Sequence, residues 1–107
     1  MSKLVLINDE RTLTEDSKVQ ILEHTQVLEC ACPQHLLKVL DTIQAFQEYE
    51  TSCIIRYPKD QEIHSWLLEQ SKILEKLASE TIVELMRREG ILDEKLNFCT
   101  PPKLVPA

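Results

Sequence analysis

A single glycine in 107 residues, Gly90, is the strongest constraint on what this chain can fold into. Strand-rich folds reverse through many tight turns, and tight turns need residues that accept positive φ, glycine above all. With Leu, Glu, Lys and Gln abundant as well, the chain is expected to be all-α. Its composition, 43% hydrophobic and 28% charged, is too apolar for a disordered chain and sufficient for one modest core.

Thr12-Leu13-Thr14-Glu15 has capping-box spacing, with Thr12 or Thr14 as the N-cap. Glu15 and Asp16 suit the positive end of a helix dipole. Val19, Ile21, Leu22 and Val27 then predict a short amphipathic helix over 15–25. Pro33 fits the first turn of a second helix over 33–55. Leu36, Val39, Leu40, Ile43, Phe46, Tyr49 or Glu50, and Cys53 recur along it at spacings of three and four. Tyr57-Pro58 ends it, because the residue before proline resists helical geometry. Asp60 is placed to cap a third helix over 60–89, in which Ile63, Trp66, Leu67, Ile73, Leu74, Leu77, Ile82, Leu85 and Met86 face inward. Arg87 and Arg88 complement its C-terminal dipole, and Gly90 supplies a left-handed stop. Ile91 to Leu96 has room for one more turn. Lys3 to Ile7 reads as an extended arm, and 98–107, with three prolines, as a flexible tail on a single helical domain spanning 1–97.

The two long helices, joined by a short loop, predict an antiparallel hairpin. Two helices cannot bury both apolar stripes, and the short first helix covers only part of what remains. The rest calls for a second copy, giving a four-helix-bundle homodimer. On this reading Leu36, Val39, Ile43, Phe46, Tyr49, Trp66, Ile73 and Leu77 belong to the core or the dimer interface.

A formal net charge of -6, with Lys and Arg scattered, disfavours direct contact with nucleic acid, whose affinity comes largely from neutralising phosphates. No apolar run approaches the ~20 residues a membrane span needs. The opening Met-Ser-Lys-Leu-Val-Leu-Ile is too short in apolar residues for a signal peptide. A cytoplasmic protein is expected, with its four cysteines as thiols, metal ligands or redox groups.

Cys30, Cys32, His35, Cys53 and His64 carry the chemistry on offer. Cys30-x-Cys32 lacks the C-x-x-C spacing of zinc ribbons and thioredoxins. Cys32 opens the second helix and Cys53 closes it, so about 1.5 Å per residue separates them by roughly 30 Å. One hairpin therefore cannot unite them. An antiparallel dimer could bring Cys30 and Cys32 of one chain to Cys53 and His64 of the other, a donor set for zinc or an iron–sulfur cluster. Cys32-Pro33 also occurs in haem-regulatory motifs, a weaker alternative because Pro33 already has a structural reason. As a redox pair, Cys32 would be the more reactive thiol, since a helix N-terminus lowers a thiol pKa. As the bland alternative, Cys53 is a small buried hydrophobe and His35 a capping or surface residue. Enzyme signatures such as H-E-x-x-H, a phosphate-binding glycine loop or G-x-S-x-G are absent, so a non-catalytic role is expected.

The run Glu29-Cys30-Ala31-Cys32-Pro33-Gln34-His35, then Ala45-Phe46-Gln47-Glu48-Tyr49-Glu50-Thr51-Ser52-Cys53, then Ile63-His64, resembles a small helical module attached to some bacterial MerR-type transcriptional regulators. The resemblance spans 29–90 and implies an accessory sensing or dimerisation role. The residues before Cys30 are too few, and not basic enough, for the winged helix-turn-helix of such regulators, so DNA binding does not carry over. The leading expectation is a homodimeric regulatory or protein-interaction module. A metal or iron–sulfur sensor and a redox-responsive thiol protein are the alternatives.

Overall fold

The computed structural model describes Asn8 and residues 11–103. The arm at Lys3 to Ile7 and the last four residues lie outside the described residues. Among the described residues three α-helices form in order: α1 (Glu15–His24), α2 (Cys32–Arg56) and α3 (Gln61–Arg88), with a 3-10 turn at Pro58–Asp60 before α3. No helix is long and apolar enough to cross a membrane among the described residues.

Local chemistry sets these boundaries. Thr14, in extended geometry, accepts a hydrogen bond from the Ser17 amide and starts α1. Pro33 occupies the first turn of α2, and Tyr57 closes that helix with its amide on the Cys53 carbonyl, 2.9 Å. Asp60 stands at the N-cap position of α3 but makes no side-chain cap, because the 3-10 turn already delivers the chain into the helix. Gly90 ends α3 at φ +76°, and the Ile91 and Leu92 amides fold back onto the Met86 carbonyl.

The apolar core sits at one end of the hairpin only. Leu13, Ile21, Leu37, Leu40, Ile82, Val83, Met86, Ile91 and Leu92 form it, with Leu36 partly buried against it. α1 lies across this end. Its Lys18, with a side chain 8% exposed, donates to Asp41 (2.8 Å), to Glu15 (2.9 Å) and to Gln44 of α2. Burial opposes that ammonium charge, but hydrogen bonds to Asp41 and Glu15 outweigh it and hold the lysine above its ordinary 10.5. The Leu13 amide donates to Ser79 Oγ at 3.1 Å, tying the approach to α1 onto α3.

Residues after Gly90 depart from the expected helical turn and mobile tail. Asp93 accepts from the Lys95 and Asn97 amides, both 2.9 Å, and Leu96 takes φ +63°, so the segment turns back instead of coiling. Leu92 then pairs with Phe98 in an isolated bridge. Phe98 stacks on His24 at 3.9 Å between ring centroids. Thr100 exchanges hydrogen bonds with His24, and the Lys103 amide reaches the Glu23 carbonyl. Residues 98–103 are thus docked on α1, held by an aromatic stack and three hydrogen bonds.

Beyond Gln44 no third helix lies over the hairpin among the described residues, and its interior turns polar. Gln44 donates to Glu75 at 2.9 Å, and Gln47 donates to the Ser71 carbonyl and to Glu75, both 3.2 Å. Ser71 is fully buried between them. The apolar stripe goes elsewhere. Val39, Phe46 and Tyr49 on α2, and Ile63, Trp66, Ile73, Leu74 and Leu77 on α3, are 39–60% exposed, while Ile43 is half-buried. Those α3 residues were expected inward. Their helical phase instead turns them away from the row Ser71, Glu75, Ser79 and Ile82 that meets α2. For all of these but Leu36 and Ile43, the hairpin's own core is not where the side chain goes.

Candidate functional site

Near the hairpin turn, three donor groups of different kinds meet. Glu50 and Cys53 stand three residues apart in the last two turns of α2, and so on one helix face. The Tyr57-Pro58 reversal brings the first turn of α3 alongside in the opposite direction, which sets His64 beside them. Imidazole Nδ1 lies 2.7 Å from Glu50 Oε2, the distance of a ring N–H donating to a carboxylate. One donor atom from each of Glu50, Cys53 and His64 lies within 4.8 Å of the others. Glu50 and Cys53 are each 3% exposed, and the His64 side chain is 20% exposed. The cluster is closed from below and reached through the imidazole.

Two tyrosines flank it. The Cys53 thiol lies beside the Tyr49 hydroxyl, and this hydrogen-bonding neighbour pushes the phenol above its ordinary range. The Tyr57 ring lies 6.2 Å from the His64 ring, tilted by 33°. A buried carboxylate, a buried thiol and an imidazole between aromatic rings offer proton exchange, thiol chemistry or metal ligation. They present no phosphate cradle and no basic surface.

The other expected ligands stand at the far end. Cys30 and Cys32 are exposed thiols on either side of Ala31, before and at the start of α2. Cys32 stands at the helix N-terminus, where a redox-pair reading would make it the more reactive thiol. Its hydrogen bond with Cys30 pushes the Cys32 thiol up instead, because a second thiol competes for the charge. His35 is exposed on the first turn and joins no donor cluster among the described residues. The structure therefore brings Cys53 and His64 together within one chain, and places Cys30, Cys32 and His35 outside that cluster. Glu50, which completes it, was expected only as an alternative to Tyr49 along the stripe spacing. Its signal was present: a carboxylate at a position where spacings of three and four demand a hydrophobe. Comparison of the chain with protein-family models, with curated proteins and with solved structures gives no match.

Proposed function

We propose that this chain is a non-catalytic self-associating helical module, which pairs with a second copy to form a four-helix bundle and serves as a regulatory or protein-interaction unit. The observation that carries this reading is the exposed apolar stripe on both hairpin helices. Helical phase sets Val39, Ile43 and Phe46 on the same side as Ile63, Leu74 and Leu77, with Tyr49, Trp66 and Ile73 at the margins. α1 covers the opposite side, through Lys18 on Asp41 and Gln44.

At very roughly 80–100 Å² for each of these nine residues, the stripe amounts to roughly 700–900 Å² per chain. A monomer rarely leaves a contiguous apolar patch much above ~300–600 Å² in water, and a standard interface takes about 800 Å² from each partner. Size and shape suit a second hairpin. The half of the hairpin beyond Gln44 has no third helix over it among the described residues, and pairing on the stripe would give it a further packed layer. The spacing Leu36, Val39, Ile43, Phe46 alternates three and four, the seam geometry of packed antiparallel helices. A dimerisation role is also what the resemblance to the helical module of MerR-type regulators implies.

The test is a double substitution, Leu74→Glu with Leu77→Glu, followed by sedimentation velocity. Both side chains are at least half exposed, at 50% and 60%, so the fold of the single chain is expected to survive. The expected result is a shift from dimer to monomer with an unchanged far-ultraviolet spectrum. Identical sedimentation of variant and parent would overturn the reading.

A further inference from the structure

We infer that Glu50, Cys53 and His64 form a binding site for a divalent transition metal of the zinc class, complete within one chain. A plain ion pair would need only Glu50 and His64. It would gain nothing from being placed where the carboxylate is 3% exposed, since a hydrophobe there serves the hairpin at least as well. The third group is a thiol, equally buried and within 4.8 Å of the other two donors. Oxygen, nitrogen and sulfur donors together select borderline-soft cations over calcium or magnesium, whose sites are built from oxygen.

Geometry is close to what such an ion needs. Zinc bonds of about 2.0–2.3 Å set neighbouring ligand atoms roughly 3.2–3.7 Å apart in a tetrahedron. The Glu50–His64 pair at 2.7 Å has to open slightly and the thiol has to approach slightly. Both are side-chain rotations on rigid helices. On binding, the thiol proton and any proton on the ligating imidazole nitrogen leave to solvent, and the cation takes their place. Three protein ligands leave a fourth position, filled by water or by an incoming group. One thiolate does not hold an iron–sulfur cluster, which takes four ligands, mostly thiolates. The site uses none of Cys30, Cys32 or the second copy, so it stands or falls independently of self-association.

The experiment titrates cobalt(II), a spectroscopic stand-in for zinc, into the full chain freed of metal by chelation under reducing conditions. The expected result is saturation at one cobalt per chain, with a thiolate-to-cobalt charge-transfer band that zinc bleaches. Cys53→Ser should remove that band, and Cys30→Ser with Cys32→Ser should leave it intact. Glu50→Gln should weaken binding at least about tenfold. X-ray absorption of the zinc-loaded parent keeps the inference testable should Cys53→Ser fail to fold. One sulfur among nitrogen and oxygen ligands is expected, and two or more sulfurs would overturn the site. Absence of the charge-transfer band, its survival in Cys53→Ser, or its loss in the Cys30/Cys32 variant would each overturn it as well.

Discussion

Replacing His64 by alanine separates the two halves of the Glu50–His64 pair in an informative way. The Glu50 side chain is 4% exposed and that of His64 is 20% exposed. His64→Ala strands the more buried partner, and an uncompensated buried charge costs about 3–5 kcal/mol. Water can follow the vacated edge where the imidazole was exposed, so the lower end applies, about 3 kcal/mol. With a urea slope of about 1.5 kcal/mol/M, the unfolding midpoint should fall by about 2 M. Glu50→Leu does the opposite. It leaves an imidazole that can reach water, and fills the hairpin interior with hydrocarbon, so its effect should lie within about 1 kcal/mol of zero. The double variant should recover most of what His64→Ala loses. The assay is urea unfolding by far-ultraviolet circular dichroism, with chelator present and chain concentration fixed, since self-association adds concentration-dependent stability. A midpoint shift below about 0.5 M for His64→Ala, or an equal loss for Glu50→Leu, would refute the claim that burial of the carboxylate governs this end of the hairpin.

Two further outcomes are expected. Lys18 has a raised folded-state pKa, so its contribution to stability is complete below its unfolded value, near 10.5, and is lost as pH rises through the folded value. Stability of the parent should therefore fall more steeply than that of Lys18→Met in alkaline unfolding titrations above that point, and parallel curves would contradict the assignment. Cys30, Cys32 and Cys99 are exposed and Cys53 is buried. A native thiol titration with a chromogenic disulfide should give three fast equivalents and one slow one, and four fast equivalents would show that Cys53 is not enclosed.

The hairpin itself was legible in the sequence because its punctuation is local. Thr14, Pro33, Tyr57-Pro58 and Gly90 each act through backbone geometry or a single capping bond, and each stands where such residues stop or start a helix. What the sequence concealed was which row of α2 meets α3. The apolar row is the conspicuous one, and it faces outward. The row that meets α3 contains Gln44, Gln47 and Glu50, which pair with Glu75, Ser71 and His64, and polar pairs leave no mark on a hydrophobic pattern. The same holds for the docking of residues 98–103, which depends on His24 meeting Phe98 and Thr100 across 74 and 76 positions of sequence. At the candidate site, Cys53 and His64 were legible from their shared place at the turn. Glu50 was not, because a charged residue in a heptad seam reads as a defect until its partner is seen.

Why a buried thiol and carboxylate should lie next to an exposed apolar seam follows from the same geometry. Glu50 and Cys53 continue the three-and-four spacing of Leu36, Val39, Ile43 and Phe46 toward the turn. A second hairpin seated on that seam would extend over the end that carries His64 and Tyr49, and so control access to the cluster.

Whether the outward apolar stripe joins two copies is decided by the absolute mass of the native chain, read by light scattering across a dilution series. A paired module gives a species of twice the 12.4 kDa chain mass that dissociates only on dilution. A mass of 12.4 kDa at every concentration would contradict it.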